Sequence, residues 1–326
     1  MDTQQRVLAC LADGRFHSGQ ALAARLGLSR TAIWKATRAL EAAGIEIHAV
    51  RGRGYRLAAS LEPLDGERIR AGLAPGSAAR LARLDILPET DSTNGYLMAR
   101  ALEGAGPGWA CLAESQRSGR GRQGRRWHSP PGRNVYLSLL WRYAEGPGVL
   151  AGLSLAVGVV VAGVLREIGL EGLSLKWPND LLCRDRKLGG VLLESSGESG
   201  GSCVVVVGLG LNVAMPAAGA EAIDQPWCDL AGELGPATPS RNVLAARLLD
   251  RLLPLLADYP ETGLAPWLAD WNGLDALAGR EVRLLLGGRE VLGRHRGVDG
   301  DGALRIEHDG AVHRYHGGEV SLRRVG

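Results

Sequence analysis

The sequence predicts a multidomain α+β protein: a small helical domain, then a larger domain of mixed strands and helices, then a small all-β domain. The chain has 326 residues, more than the roughly 100–200 residues of one domain. Its apolar spacing is helical before residue 60 and changes to short strands after about residue 275. Apolar residues make up 45% and charged residues 22%, which excludes disorder, collagen and coiled coil as the main state.

The N-terminal domain, residues 1–60, has the pattern of a helix-turn-helix. Apolar spacing predicts a first helix close to the N-terminus. Ser18 is the predicted N-cap of a second helix, which Gly27 ends. Ser29 is the predicted N-cap of a third helix, which Gly44 ends. Two such helices joined by a short turn are typical of DNA-binding domains.

A basic hairpin follows the third helix. Two short predicted strands, Ile45–Val50 and Tyr55–Leu57, enclose the turn Arg51-Gly52-Arg53-Gly54, so the domain is expected to be winged. Residues 1–60 carry nine Lys or Arg and four Asp or Glu, a charge of +5 in a chain with a net charge of +3. This concentration favours a polyanion partner, and the alternative is a solvated basic face.

The exposed side of the third helix and the wing form the candidate DNA surface. Cations there can neutralise phosphates, and Arg or Lys can also recognise guanine edges. One such domain binds weakly, so we expect a dimer on a two-fold DNA site. The residues predicted to contact operator DNA are Arg30, Thr31, Trp34, Lys35, Arg38, Arg51 and Arg53.

The middle of the chain, residues 67–272, follows a polar linker at residues 58–66 and mixes strands with helices. A large central sheet with helices is expected, either α+β or α/β. Residues 147–165 contain no charged side chain, and the isolated position of this segment favours a buried core helix over a membrane span. The predicted strands are Trp109–Gln116, Val135–Trp141, Leu173–Trp177, Leu188–Glu194 and Cys203–Gly208, and the predicted helices are Leu244–Leu256 and Pro266–Trp271.

The C-terminal domain, residues 275–326, consists of short strands between Gly- and Asp-rich turns. Gly and Asp tolerate the positive φ angles that tight hairpin turns require. An SH3-like small β-barrel is therefore predicted. Its strands are expected at Glu281–Leu286, Glu290–Arg296, Ala303–Glu307, Ala311–Tyr315 and Glu319–Leu322.

The five cysteines predict a reducing compartment. They are scattered and include no CxxC pair, so we expect free thiols and a cytoplasmic protein. The N-terminal residues lack the basic start and the apolar core of a signal peptide. No membrane partner is expected.

The strongest local signal is the run Gly119-Arg120-Gly121-Arg122-Gln123-Gly124-Arg125-Arg126-Trp127, the Gly/Arg loop. Its glycines allow backbone N–H groups to approach a ligand, and its arginines supply charge for phosphate or carboxylate oxygens. Residues 115–144 contain seven Arg and no acidic residue. The run lacks the Lys-Ser/Thr ending of a Walker A loop. A small anion is the favoured ligand because the loop lies between apolar strands, and a nucleic acid is the alternative.

Four further segments place polar or cationic side chains beside predicted helix or strand ends. Only three of the 38 basic residues are Lys, so Lys176 and Lys187 are candidates for positions that need a compact ammonium group. Each segment has a structural alternative, such as a helix cap for Ser92 or a core position for Trp177. The segments are Asp91-Ser92-Thr93-Asn94 at a helix start, Lys176-Trp177-Pro178-Asn179-Asp180 at a strand end, Arg186-Lys187-Leu188-Gly189-Gly190 before a strand, and Gly208-Leu209-Gly210-Leu211-Asn212 in a flexible turn.

These motifs occur in the order and spacing of the bacterial biotin–protein ligases, which the sequence therefore resembles. The N-terminal helix-turn-helix and the C-terminal strands extend the resemblance to nearly the whole chain. The chain looks like the bifunctional type, a ligase that is also the biotin operon repressor. The resemblance implies a central domain folded like the class II aminoacyl-tRNA synthetases.

The resemblance also implies a role for each matching residue. It implies ATP, biotin and Mg²⁺ as substrates and cofactor, the biotin carboxyl carrier protein of acetyl-CoA carboxylase as acceptor, and a homodimer on operator DNA when biotinyl-5′-AMP is bound. The implied biotin-binding residues are Ser92, Thr93, Asn94, Gln116, Arg120, Gly121, Arg122 and Lys187. The implied nucleotide-binding residues are Arg120, Arg122, Trp127, Lys176, Asn179, Asn212 and Arg323, and the implied catalytic residues are Lys187, Arg122 and Asp180. No protein ligand to a metal is implied.

The chemistry of these residues agrees with an acyl-adenylating reaction. A carboxylate is already a nucleophile at pH 7, so the enzyme must bring two anions together and neutralise charge on phosphorus. A closing loop protects the reactive mixed anhydride from water. Asp180 would orient or deprotonate the acceptor amine. The alternatives are a biotin-sensing regulator without transfer activity and a ligase for lipoate or octanoate.

Overall fold

A computed structural model describes residues 3–42, 45–57, 62–197, 201–216, 223–286, 289–316 and 320–324. The N-terminal domain has the predicted winged helix-turn-helix arrangement. Ser18 Oγ accepts a hydrogen bond from Ala21 N at 3.0 Å, and Gly27 ends the second helix with φ of 65°. Gly44 lies outside the described residues. The elements are α1 (Thr3–Leu11), α2 (Gly19–Leu26), α3 (Arg30–Ala42), β1 (Ile47–Val50) and β2 (Gly54–Leu57).

The first wing strand begins two residues later than expected. Ile45 is buried, and its N–H bonds back to Leu40 O at 3.0 Å, so it continues the helical end rather than the strand. The wing is fixed to the start of the second helix because Tyr55 and His17 exchange backbone hydrogen bonds of 2.8 Å.

A mixed seven-stranded sheet forms the central domain, as predicted. Its strand order is β3-β4-β5-β9-β8-β7-β6, and every pair is antiparallel except β3 with β4. The strands are β3 (Arg83–Leu87), β4 (Trp109–Ala113), β5 (Val135–Tyr143), β6 (Leu173–Lys176), β7 (Asp180–Cys183), β8 (Arg186–Gly197) and β9 (Cys203–Leu211).

Several predicted strand bounds were wrong. The strand from Trp109 ends at Ala113, three residues before Gln116. Lys187 lies inside β8 rather than before it, because it pairs with Leu182 on β7. Residues 208–211, predicted as a flexible turn, continue β9. β3 and β7 were not predicted.

The charge-free segment forms a core helix. The stretch Pro147–Glu167 is long and apolar enough to cross a membrane by length and composition alone. Within it, α7 (Leu153–Glu167) has ten of its 15 residues buried and packs against the sheet and against the helices Arg241–Thr262 and Ala265–Leu274. The remaining helices are α4 (Gly66–Ala71), α5 (Pro75–Arg80), α6 (Thr93–Leu102), α7 (Leu153–Glu167), α8 (Leu230–Leu234), α9 (Arg241–Thr262) and α10 (Ala265–Leu274).

The C-terminal domain is the predicted small β domain. Its five strands form one antiparallel sheet in the order β13-β12-β11-β10-β14, and its inner side chains belong to the same apolar core as the central sheet. The turn residues predicted at 287–288 and 317–318 lie outside the described residues. The strands are β10 (Glu281–Leu286), β11 (Arg289–Val298), β12 (Leu304–His308), β13 (Ala311–Tyr315) and β14 (Val320–Arg324).

A buried clamp holds the segment that follows the N-terminal domain. Arg241 forms an ion pair with Glu114 at 2.8 Å and donates to Glu62 O at 2.7 Å. Glu114 in turn accepts from Leu64 N at 2.7 Å, and Asn242 donates to Pro63 O at 2.9 Å. The Arg241 side chain is only 6% exposed, so the clamp is shielded from water.

Arg241→Ala is expected to lower the free energy of unfolding by about 3 kcal/mol, because it leaves the largely buried Glu114 carboxylate without its cationic partner. The matched control on the same helix is Arg251→Ala, whose pair with Glu167 is exposed and should cost less than about 1 kcal/mol. Urea unfolding of the two variants measures the difference, and equal losses would contradict the clamp.

Candidate functional site

One cavity of about 560 Å³ collects the motifs that the sequence analysis identified. Its walls come from the start of α6, the Gly/Arg loop, the turn between β6 and β7, the first half of β8 and the end of β9. The size is ordinary for a small-molecule site. The predicted site residues that line it are Ser92, Thr93, Asn94, Gln116, Arg120, Gly121, Arg122, Trp127, Lys176, Asn179, Asp180, Lys187 and Asn212.

The floor of the cavity is a buried network of neutral polar groups. Thr93 N donates to Gln116 Oε1 at 2.9 Å at the start of α6. Ser138 Oγ, which is fully buried, lies 2.7 Å from Thr93 Oγ1 and 2.6 Å from Asn94 Oδ1. Ser92 Oγ caps the helix at Gly95 N, at 3.4 Å. The cap interpretation of Ser92 is therefore correct, and the residue also lines the cavity.

Two glycines in the segment that was predicted as a turn, and that continues strand β9, leave room for side chains to pack against the strand. A Cβ at Gly208 would lie 2.2 Å from Asn94 Oδ1, and a Cβ at Gly210 would lie 2.5 Å from the Trp127 ring. The glycines therefore let the Asn94 amide and the Trp127 indole lie directly on β9.

The Gly/Arg loop is a small folded hairpin over the cavity. Gly121 N bonds to Arg125 O at 2.7 Å, and Trp127 N bonds to Gly119 O at 2.8 Å. Arg120 reaches across to Glu194 on β8 at 3.1 Å. Burial lowers the pKa of the Arg122 guanidinium, and the negative charge of Asp180 opposes that shift.

A cationic cluster faces the loop from the sheet. Lys187 Nζ lies 2.8 Å from Asp180 Oδ1, and Lys176 Nζ lies 3.6 Å from Asp180 Oδ2. The Lys187 and Asp180 side chains are 16% and 13% exposed, so solvent screens their interaction only partly. One carboxylate is thus shared by two ammonium groups, and the cluster keeps net positive charge for an anionic ligand.

Two further residues that were predicted to bind the nucleotide, Asn179 and Asn212, also line the cavity. Asn179 Nδ2 donates to Val191 O at 2.8 Å, and Asn212 Nδ2 donates to Cys228 O at 3.1 Å. Lys187 Nζ lies 5.7 Å from the centroid of the Trp127 ring, a cation–π distance. Arg323 lies on β14 opposite Arg283. The position of the Arg323 side chain is outside the described residues, so its predicted role stays a prediction.

Sequence reasoning missed several lining or supporting residues. Ser138 lies alone in the apolar strand β5, and Glu194 lies at the polar end of β8, so no local motif marked either of them. His128 also lines the cavity, and burial together with the neighbouring Arg126 lowers the pKa of its imidazole. Asp224 and Trp227 complete this part of the wall.

The N-terminal domain presents the second candidate surface. The predicted residues of α3 are exposed, including Trp34 at 51%, while Ile33 and Leu40 are buried on the opposite side of the helix. In the wing, the Arg53 guanidinium stacks over the Phe16 ring at 4.2 Å, which restrains its position. The predicted DNA-contacting residues are therefore exposed on α3 and on the wing, and their contact with DNA stays a prediction.

Comparison with known families identifies the class of protein to which the chain is similar. The model of the Biotin/lipoate A/B protein ligase family matches residues 86–212, an HTH domain model matches residues 3–56, and the Biotin protein ligase C terminal domain matches residues 278–323. Among solved structures, biotin protein ligase from Aquifex aeolicus in complex with biotin and ATP is similar with a TM-score of 0.64 and 30% identity, over 75% of this chain and 100% of that chain.

Relatives that match nearly the whole chain identify the particular family within this class. Bifunctional ligase/repressor BirA of Salmonella typhimurium is 44% identical over 97% of this chain and 96% of the relative. Bifunctional ligase/repressor BirA of Escherichia coli K12 is 43% identical over 98% and 96%. The chain belongs to this family of bifunctional ligase/repressors.

Gly208→Ala is expected to lower the free energy of unfolding by about 1–3 kcal/mol, because the new Cβ overlaps Asn94 and forces the floor network apart. The control is Gly163→Ala on the exposed side of α7, where a Cβ meets no atom within 4 Å. That change should stabilise the helix by about 0.5–1 kcal/mol. Urea unfolding gives both values, and a neutral Gly208→Ala would contradict the close approach.

Proposed function

We propose that this protein is an ATP-dependent ligase that forms biotinyl-5′-AMP and then transfers biotin to a lysine of the biotin carboxyl carrier protein of acetyl-CoA carboxylase. The observation that carries the proposal is the arrangement of one cavity, with a neutral polar floor beside a cluster of cations. The floor suits an uncharged polar ring system, and the cationic end suits a carboxylate next to a phosphate.

The floor would hold the ring end of biotin. Ser92, Thr93, Asn94 and Gln116 offer hydroxyl and amide groups that both donate and accept hydrogen bonds, as a cyclic urea requires. Because Ser138 braces Thr93 and Asn94 from below, these groups are held before the ligand arrives. Preorganised groups lose less entropy on binding.

The cationic end would bring the two reacting anions together. Lys187 would bridge the biotin carboxylate and the α-phosphate, while Arg120, Gly121 and Arg122 close over the adenylate. The biotin carboxylate attacks the α-phosphorus of ATP and pyrophosphate leaves, so positioning and charge neutralisation supply the catalysis. Trp127 would form the wall beside adenine. The other nucleotide contacts in the proposal are Lys176, Asn179, Asn212 and Arg323.

Asp180 would act in the second step through the acceptor amine. The neutral lysine amine attacks the carbonyl of the mixed anhydride, the amide bond forms, AMP leaves with the anhydride oxygen, and one amine proton passes to solvent. Two lysines share the Asp180 carboxylate, so its oxygens already accept from ammonium groups, which favours a role in orienting the incoming amine.

Mg²⁺ fits this cavity as an ion that is brought by ATP. Mg²⁺ is commonly held by one or two carboxylates together with substrate phosphates, and Asp180 and Asp224 both line the cavity. When bound, the ion neutralises charge on the phosphates of ATP.

The deciding experiment is incubation of the protein with ATP, biotin and a carrier domain, with the carrier read by mass spectrometry. One biotinyl group per carrier domain is expected, and none without ATP. A folded protein that binds biotin without transferring it would instead be a sensing regulator. Transfer that free lipoate suppresses would indicate a lipoate-type ligase.

Lys187→Ala is expected to slow biotinyl-adenylate formation about 100-fold, or roughly 3 kcal/mol, because it removes the charge between the two reacting anions. Biotin-dependent pyrophosphate exchange measures this step. Lys176→Ala is the matched control, since it removes the more distant ammonium group and should cost less. A Lys187→Ala enzyme with full exchange activity would contradict the assigned role.

We also propose that the protein represses the biotin operon with biotinyl-5′-AMP as co-repressor. The adenylate-bound form would dimerise, so that two basic helix-turn-helix surfaces meet the two halves of an operator. The five cysteines are free and buried, which suits a cytoplasmic protein. The dimer, the operator and the location belong to the proposal.

Lys35→Ala is expected to weaken operator binding and to reduce the slope of log affinity against log salt by about one, because one phosphate contact is lost. Lys35→Arg keeps the charge and is the control. A gel-shift assay with biotin and ATP at several salt concentrations measures both values. Strong operator binding without biotin or ATP would contradict co-repression.

A further inference from the structure

Two buried thiols and a buried carboxylate meet beside the strand that carries Lys187. Cys183 Sγ, Cys228 Sγ and a Glu233 carboxylate oxygen all lie within 4.8 Å of one another, and we call these three residues the thiol cluster. Cys183 is 0% exposed, Cys228 is 4% exposed and the Glu233 side chain is 4% exposed. None of the three is among the described residues that line the cavity.

Three separate segments contribute to the thiol cluster. Cys183 ends β7, Glu233 lies in α8, and Cys228 follows a segment that is bonded to Lys187. Lys187 N donates to Pro226 O at 2.9 Å, and Cys228 N donates to Lys187 O at 3.0 Å. A ligand that joined the three side chains would therefore brace the two segments that pair with Lys187, namely β7 and residues 226–228.

We propose that the thiol cluster binds one thiophilic divalent cation, with Zn²⁺ as the reference ion. Thiolate sulfur and carboxylate oxygen are both established zinc ligands, and three protein ligands leave the fourth tetrahedral position for water. Sulfur ligands favour Zn²⁺ over the hard ion Mg²⁺, so this site is chemically distinct from the ATP site.

Metal binding leaves the formal charge of the thiol cluster and its neighbouring arginines unchanged. Glu233 accepts from Arg184 at 2.7 Å and also from Arg186, so the cluster together with these two arginines carries a formal charge of +1 when the thiols are neutral. When a divalent cation enters, two S–H bonds break, two sulfur–metal bonds form and two protons leave to solvent. The formal charge stays +1, and no oxidant or reductant is required.

The thiols keep their protons until a metal replaces them. Burial raises the pKa of Cys183 and raises that of Cys228 to about 12, and the negative charge of Glu233 adds to both shifts. A metal must therefore displace both thiol protons when it binds.

The experiment is a metal titration of the full chain, reduced and then freed of metal with a chelator. Co²⁺ is the probe because cobalt thiolates absorb in the near ultraviolet and tetrahedral cobalt absorbs in the visible. We expect saturation at one equivalent, release of two protons and displacement by Zn²⁺. Zn²⁺ should also raise the Tm, because it binds the folded state.

Cys228→Ser should weaken Co²⁺ affinity at least about 100-fold, since even the outer partners of metal ligands contribute roughly 10–100-fold. Cys203→Ser is the matched control, because Cys203 is equally buried but lies at the start of β9, outside the cluster. If Cys228→Ser does not fold, Glu233→Gln replaces it and should weaken affinity by about tenfold or more. Absence of a thiolate band in the wild-type protein, or equal affinity in the folded variants, overturns the proposal.

Discussion

The interaction on which the site depends is the sharing of one carboxylate by two lysines. Arg122, Lys176 and Lys187 face one cavity, and without an anion among them their mutual repulsion would oppose folding. Asp180 lies 2.8 Å from Lys187 and supplies that anion. Asp180 neutralises only part of the positive charge of these three side chains. The cavity therefore keeps net positive charge that attracts anions, while the repulsion that opposes folding is reduced. The site is thus stabilised before any ligand binds, and its excess charge remains for recognition.

The same cavity depends on the absence of side chains at two points of β9. Gly208 and Gly210 allow Asn94 and Trp127 to lie against the strand backbone, where larger residues would displace them. These glycines therefore act through packing rather than through a turn. The polar floor and the aromatic wall are consequently positioned by the sheet, while the Gly/Arg loop is positioned by its own backbone hydrogen bonds.

Sequence reasoning predicted features that depend on neighbouring residues and missed those that depend on distant ones. The cap at Ser18, the stop at Gly27 and the C-terminal turns at 299–302 and 309–310 are local, and they were predicted correctly. Ser138 and the length of β8 were missed because they depend on pairing across the sheet, which periodicity does not reveal. Lys187 belongs to its strand because it pairs with Leu182 on the neighbouring strand β7. The motifs themselves were found since each combines unusual residue types within a few positions.

The three predicted domains contain two separate apolar cores, one shared by the central and C-terminal domains and one in the N-terminal domain. The central and C-terminal domains share one apolar core, and Trp177 Nε1 donates to Gly302 O at 3.0 Å, so the C-terminal domain braces the turn that holds Lys176 and Asp180. The N-terminal domain has a separate core and is followed by the segment that Arg241 and Glu114 clamp. Glu114 lies two residues before Gln116, which forms part of the cavity floor. The floor therefore lies close to the segment that follows the N-terminal domain, and the C-terminal domain contacts the turn on the cationic side of the same cavity.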